Sequence, residues 1–348
     1  MIEYLDLIMF VALMAAILLG FPVSFSIAGV GIIFAYIGFA VGEMDITLLG
    51  AMGQRVFGTL TNNVLIAIPL FVLMGAVLEK SRIAEDLLDT MGRLFGQLRG
   101  GLGISVVLVG ALLAASTGIV GATVVAMGMI ALPTMLRSGY DPRVASGIVC
   151  TAGTLGQIIP PSTLLIILAD VMSNSFQQAQ YEQGKFSVEA LSVGQFFAAA
   201  VIPGLLLVSL YLIYILLRGW IRPQDMPPAP MDLAKPDRAE IIRAVVPPVL
   251  LIFAVLGAIL GGIATPTEAA SVGAVGALLM TGHKLGINPK PILLGTAALI
   301  LLGLFAGAFP VRFQRDDLSN GTFALGIVYA GLVVVGGIAI ILALRAAL

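Results

Sequence analysis

Two short stretches of this chain combine hydroxyl side chains with backbone that cannot run as regular helix. The first is Ser116, Thr117, Gly118, Ile119, Val120, Gly121, Ala122 and Thr123; the second is Gly153, Thr154, Leu155, Gly156, Gln157, Ile158, Ile159, Pro160, Pro161, Ser162 and Thr163. Two consecutive prolines remove two amide donors and disfavour helical geometry for the residue before each. Carbonyls beside them then lose their helical partners. Together with the hydroxyls of Ser162 and Thr163, they are oxygen ligands of the kind a hard cation takes; a plain proline kink, satisfied by neighbouring side chains, is the alternative. Other chemistry is scarce. His283 is the only histidine and Cys150 the only cysteine, which leaves no usual zinc ligand set and no Ser-His-Asp or Cys-His nucleophile. With no catalytic pair in view, an enzyme is not expected. A lone cysteine in an apolar stretch closes no intrachain disulfide and reads as structural.

The elements that must position these residues follow from composition. Of 348 residues, 59% are hydrophobic and 11% charged, against about 25% charged in soluble proteins, so the expected fold is an all-α polytopic membrane protein. The net charge of -1 carries no polybasic excess, and no nucleic-acid partner is expected. Apolar stretches fall at 5–19, 23–41, 55–79, 101–136 with a break, 144–169 with the double proline, 193–218, 241–260, 267–282, 291–310 and 323–345. They amount to about nine spans and one re-entrant segment. The start is acidic, with Glu3 and Asp6, and no small-residue cleavage site follows, so the first run is read as a span rather than a signal peptide.

Basic residues orient the spans. Lys80, Arg82, Arg93, Arg99, Arg137 and Arg143 flank the broken stretch, and Arg218, Arg222, Lys235, Arg238 and Arg243 fill a later proline-rich loop; these loops should be cytoplasmic. The segment 172–192 holds Lys185 as its only basic residue and should face the other side. The expected topology is N-out and C-in, with Arg312 and Arg315, offset by Asp316 and Asp317, as one mild violation. Parity allows 101–136 to be two spans or a hairpin that dips in and returns. Length favours the hairpin: its first arm, 101–115, reaches only about 22 Å at 1.5 Å per residue, short of a roughly 30 Å core. Irregular backbone at that depth must be buried in protein or line a cavity, although small residues also serve close helix packing.

Intramembrane charge is nearly absent, with only Asp170 and Glu268 near the apolar segments. A neutral site of carbonyls, hydroxyls and helix ends suits sodium better than protons, and half-helix N-termini could hold an anionic group without a buried arginine. Leu87, Leu88, Met91, Leu94, Phe95 and Leu98 recur at helical spacing, which predicts an arm helix, either lying in the interface or packed on the bundle. Asn62 and Asn63 read as interhelical hydrogen-bond partners inside the third span rather than ligands. Residues 221–240, with five prolines, read as an extended cytoplasmic loop.

Four motifs in order carry a family resemblance: Ile66, Ala67, Ile68, Pro69, Leu70, Phe71, Val72, Leu73, Met74 and Gly75; Gly139, Tyr140, Asp141 and Pro142; Gly153 to Gln157 leading into Pro160, Pro161 and Ser162; and Thr265, Pro266, Thr267, Glu268, Ala269 and Ala270. Between about 55 and 282 the chain resembles the large membrane (permease) subunit of tripartite ATP-independent periplasmic (TRAP) transporters, the DctM-like subunit. The resemblance implies an elevator-type fold of the ion transporter superfamily, built from inverted repeats with one re-entrant hairpin each. It divides the chain into scaffold helices 1–54, a first repeat 55–192 with hairpin 101–136 and broken helix 144–169, connecting helices 193–260 with the loop 221–240, and the start of a second repeat, 261–348. It further implies sodium-coupled import of an organic acid across the bacterial inner membrane, with Na+ as coupling ion and no cofactor. A periplasmic substrate-binding protein (DctP-like) would deliver the substrate, and a small membrane subunit (DctQ-like) would be the permanent partner. Carried over by position, Ser116, Thr117, Gly118, Gly121 and Thr123 at the tip and Gly153, Thr154, Pro160, Pro161, Ser162 and Thr163 at the link would form one sodium site and half of the substrate site. Backbone carbonyls and hydroxyls at Ser116, Thr117 and Ser162 would ligate the ion. Pro69, Gly75, Thr265, Pro266, Thr267 and Glu268 would be structural signature residues.

The chain departs from that pattern in two places. Ile119 and Val120 stand where many relatives carry further serines, and after the Thr265 motif no second hairpin or second proline-broken span is visible before Leu348. The expectation is therefore of a carrier that is truncated, completed by another polypeptide, or unable to transport alone. Two other readings stay open: a stand-alone sodium/anion symporter of the same superfamily, and a non-transporting membrane scaffold subunit.

Overall fold

The computed structural model describes residues 4–42, 45, 47–118, 120–185, 187, 189–229, 236–285, 289–308 and 320–347. Among them the regular structure is entirely helical. The chain divides into two compact units, 1–62 and 63–348. In the first, α1 (Leu5–Leu18) packs on α2 (Val23–Val41), followed by the short helices α3 (Thr47–Gly50) and α4 (Met52–Leu60). The second holds α5 (Ala67–Lys80), α6 (Ile83–Phe95), α7 (Gly101–Thr117), α8 (Val120–Arg137), α9 (Pro142–Thr154), α10 (Thr163–Glu182), α11 (Val193–Ile221), α12 (Arg238–Leu260), α13 (Pro266–Lys284), α14 (Pro289–Ala308) and α15 (Asn320–Ala347).

Among the described residues four helices are long and apolar enough to cross a membrane: Val23–Val41, Val193–Ile221, Arg238–Leu260 and the stretch Leu325–Arg345 of α15. Shorter apolar helices, among them Leu5–Leu18 and both arms of the predicted hairpin, accompany them. This is the architecture of a helical membrane protein.

The stretch 55–79, expected as one span, is instead α4 and α5 with a non-helical break between them. Near the end of α4, the Thr59 and Thr61 hydroxyls bond back to the carbonyls of Arg55 and Phe57, at 2.9 and 2.8 Å. Asn62 and Asn63 lie in the break rather than inside a span. Helix α10 continues beyond the apolar stretch that ends at 169, to Glu182. There the Gln180 amide is buried and exchanges hydrogen bonds with the Glu189 backbone, at 3.0 and 3.2 Å.

Three hydrophobic clusters organise the second unit. One joins α6, α7, α8 and α9 with the C-terminal half of α11, through residues such as Leu87, Val106, Met127, Ile148 and Ile215. Another joins α5, α10, α12, α13 and the N-terminal half of α11, through Phe71, Ile166, Phe197, Val255 and Ala274. A small third cluster holds α13 against α14 and α15. Within the second cluster, α5 and α13 pack closely because alanines and glycines face larger side chains: Ala67, Ala270 and Ala277 are fully buried, and a Cβ at Gly273 would lie 2.6 Å from the Met74 sulfur.

The arm helix α6 is packed on the bundle. It buries Leu87 and Leu88 against α7 and α12, and the Ser105 hydroxyl of α7 donates to the Met91 carbonyl at 2.7 Å. Its charged face is tied down as well: Arg93 pairs with Glu240 at the start of α12, and Asp86 with Lys284 at the end of α13 at 2.6 Å.

The proline-rich loop is only in part what composition suggested. Its described first section, 222–229, is a docked strap rather than a free extended linker. Pro223–Asp225 form one turn of 3-10 helix, and Met226 is fully buried in the first cluster beside Tyr140 and Ile215. Backbone hydrogen bonds run from Gly100 to Met226 (3.1 Å), from Asp141 to Asp225 (3.0 Å) and from Ala229 to Gly96 (2.8 Å). Arg218 grips one Asp225 oxygen through two nitrogens, at 2.8 and 3.0 Å. Lys235 lies outside the described residues, as do Arg312, Arg315, Asp316 and Asp317.

Candidate ion and substrate site

The two irregular stretches that opened the sequence reading meet in space. Helix α7 stops at Thr117, Gly118 turns the chain in the left-handed region at φ +60, and α8 starts at Val120. Only glycine takes that conformation without strain. Position 118 is also tight, since a Cβ there would lie 3.0 Å from the Thr163 side chain and 3.3 Å from its amide nitrogen.

The other stretch is broken as its prolines predict. Helix α9 ends at Thr154, a 3-10 turn covers Leu155–Gln157, and the chain passes through a cis Pro160-Pro161 bond before α10 begins at Thr163. Ser162, extended and fully buried, caps α10: its hydroxyl accepts from the Leu165 amide at 3.4 Å and donates to the Gln157 carbonyl at 2.8 Å. A serine at this position satisfies one of the orphan amides of a helix start.

A clasp joins the two. The Gly118 carbonyl accepts the Thr163 hydroxyl at 2.8 Å and the Gln157 side-chain amide at 2.9 Å. Behind it, α7 and α9 approach closely at Gly110, where a Cβ would lie 2.9 Å from that of Ala152, while Gly153 sits against the Val124 backbone of α8. Four helix ends therefore converge: the C-termini of α7 and of the α9 segment, which offer carbonyls, and the N-termini of α8 and α10, which offer amides. Helix C-termini favour cations and N-termini favour anions, so one junction presents the two kinds of end that a cation and a carboxylate need.

The individual candidates divide. Gly118, Pro160, Pro161, Ser162 and Thr163 lie at the clasp, and Gly153 lies against α8 beneath it. Thr123 is buried but faces away, lining a small cavity with Gly75, Glu79 and Ala84. Gly121 is exposed with nothing within 4 Å of a Cβ. Thr154 is exposed too, its hydroxyl donating to the Thr151 carbonyl at 2.8 Å. The side chains of Ser116 and Thr117 lie outside the described residues; their backbone forms the end of α7. Gln157 is not singled out by the sequence, because a lone amide in an apolar stretch carries no periodicity. The one signal was its position three residues before the prolines.

The signature motifs have plain structural work. Gly139 at φ +85 closes α8, with the Tyr140 amide bonding back to Met135 at 3.1 Å, and Asp141 caps α9 ahead of Pro142. Tyr140 is buried beside the amides of Gly103 and Leu102, where desolvation outweighs their influence and pushes its phenol up to about 12. Thr265 and Glu268 form a reciprocal capping box, with Glu268 accepting from the Thr265 amide at 2.8 Å and from its hydroxyl at 2.9 Å, while Pro266 fills the first helical position. Thr267 donates to the carbonyl of Asn63, tying the start of α13 to the chain ahead of α5. Gly75 is buried on α5 and Pro69 is exposed near that helix's start.

Comparison with known proteins places the chain in a family. Residues 10–289 match the family described as the DctM component of the tripartite ATP-independent periplasmic transporter. The C4-dicarboxylate TRAP transporter large permease protein DctM of Pseudomonas aeruginosa is 37% identical over 227 residues, 65% of this chain and 48% of that protein. Its counterpart in Rhodobacter capsulatus is 31% identical over 276 residues, 79% of this chain and 60% of the relative. The ectoine TRAP transporter large permease protein TeaC of Halomonas elongata is 28% identical over 274 residues, covering 78% and 58% respectively. The chain thus spans about half the length of the curated relatives it matches. With the family match running through the hairpin, the broken helix and both capped signature helices, the chain belongs to the DctM family of TRAP transporter large permease subunits.

Proposed function

We propose that the protein works as the large permease subunit of a sodium-coupled secondary transporter that imports an organic acid through the bacterial inner membrane. In this reading a periplasmic binding protein hands over the substrate, a small membrane subunit is the standing partner, and the fold is of the elevator type with N-out, C-in topology. The observation that carries the reading is the docking of the hairpin tip on the Pro160-Pro161 link. In this reading the junction would offer Na+ the backbone carbonyls and hydroxyls at Ser116, Thr117 and Ser162, and offer a carboxylate the amide ends of helices, with no ionised side chain among the described residues of the clasp. Ser162 contributes sparingly, since its hydroxyl already serves two backbone partners and keeps one lone pair. The names of the dicarboxylate relatives support a carboxylate substrate, and those of the ectoine relatives widen the class.

The test is Pro160→Ala combined with Pro161→Ala in protein reconstituted with its small subunit and binding protein. Restoring helical hydrogen bonds across the break should abolish sodium-dependent uptake while the protein still reaches the membrane. Unchanged sodium-dependent uptake in that variant would refute this placement of the site.

A further inference from the structure

The clasp between hairpin and broken helix is held by a side chain to which no role in transport is assigned. We infer that Gln157 is a positioning residue, whose side-chain amide fixes the hairpin tip on the Pro-Pro link and so sets the geometry of the oxygens around it. Three observations support this. Gln157 is part-buried and reaches across 39 positions of sequence to donate to the Gly118 carbonyl at 2.9 Å. Its own carbonyl accepts the Ser162 hydroxyl at 2.8 Å, so one residue engages both the tip and the cap of α10. Thr163 donates to the same Gly118 oxygen at 2.8 Å, which gives that carbonyl two donors, as many as its lone pairs accept.

The double occupation has a chemical consequence. A carbonyl engaged by two donors has no lone pair left for a metal ion, so Gly118 is an anchoring point and the ion's ligands are other oxygens of the junction. Gln157 then acts on ion binding through Gly118, by holding the neighbouring backbone where those oxygens converge. Removing its amide leaves Thr163 as the single tie between tip and link. The tip becomes more mobile, and an ion that needs both sides in register binds more weakly.

This inference rests on the sodium-transport reading, and two measurements separate its failure from that reading's. Gln157→Met keeps the length of the side chain and removes the donor; Thr163→Val removes the other donor to the same oxygen and serves if Gln157→Met does not fold. Spin labels at Met129→Cys and Val171→Cys, both exposed, in a Cys150→Ser background report the distance between α8 and α10 without any transport. The distribution should be narrow with Gln157 present and broader in Gln157→Met. In reconstituted uptake the sodium half-saturation should rise roughly tenfold in Gln157→Met, the cost of about one net hydrogen bond, with a much smaller change in the rate at saturating sodium. An unchanged distance distribution and an unchanged sodium half-saturation in both variants would overturn the role of Gln157. Uptake without sodium dependence in the unsubstituted protein, alongside a distribution that still broadens in Gln157→Met, would overturn the transport reading and uphold the anchoring.

Discussion

At the scale of single residues, contact at the site is decided by absent atoms more than by functional groups. Gly153 shows the effect most sharply, because an added Cβ would lie 2.9 Å from the Cα of Val124, a backbone atom that cannot rotate aside. Gly147, on the same helix, has nothing within 4 Å. Gly153→Ala is therefore expected to destabilise the protein by about 1–3 kcal/mol through overpacking. Gly147→Ala should be neutral, or stabilising by up to about 1 kcal/mol through helix propensity. Thermal unfolding of the two variants in detergent decides it: equal midpoints would mean that α8 and α9 do not meet at Gly153. The close approach was not legible in the sequence, where both glycines lie in the same small-residue background. The need for a turn at Gly118 was legible, because backbone reversal at membrane depth leaves few residue types.

At the scale of elements, the contrast between two proline pairs explains what could be read and what could not. Pro160-Pro161 breaks a helix, while Pro247 and Pro248 sit inside an unbroken α12. The difference lies in the flanks: Ser162 supplies a cap for a new helix start, and Gly153 and Gly156 precede the break, whereas Val245, Val246, Val249 and Leu250 around the second pair offer no cap. Composition also failed at residues 222–229, because prolines look alike in a free linker and in a docked strap. What fixes the strap is nonlocal, namely the hydrophobic cluster, with Leu102, Tyr140 and Ile215 among its members, in which Met226 is buried. Met226→Ala is expected to cost about 2–5 kcal/mol by opening a cavity there. If strap opening governs access, even the lower figure raises its population roughly thirtyfold. Limited digestion with endoproteinase Asp-N should then cut before Asp225, in the strap, faster by about that factor. An unchanged rate would show that the strap is held by its backbone hydrogen bonds and the Arg218 to Asp225 pair alone.

At the scale of the whole molecule, charge sets the expected orientation. The strap joins the entry of α7, at Gly96 and Gly100, to the start of α9 at Asp141, so both ends of the hairpin and the α11 to α12 connection share one level. The helix ends and connections that the strap joins carry Arg93, Arg99, Arg137, Arg143, Arg218, Arg222 and Arg238 in sequence. In the proposed topology the hairpin enters and leaves on one side, and the positive-inside rule predicts that basic residues at its base face the cytoplasm. The same rule predicts the far side for the segment beyond α10, with Lys185 as its only basic residue. Single-cysteine variants in a Cys150→Ser background test the assignment. Lys185→Cys should react with a membrane-impermeant maleimide added to intact spheroplasts. Gln224→Cys, exposed on the strap, should react only after the membrane is permeabilised. The reverse labelling pattern would invert the topology and place the Gly118 junction's approach on the wrong side for an importer. Labelling of both from outside would mean that α11, the helix between the two positions, does not cross the membrane.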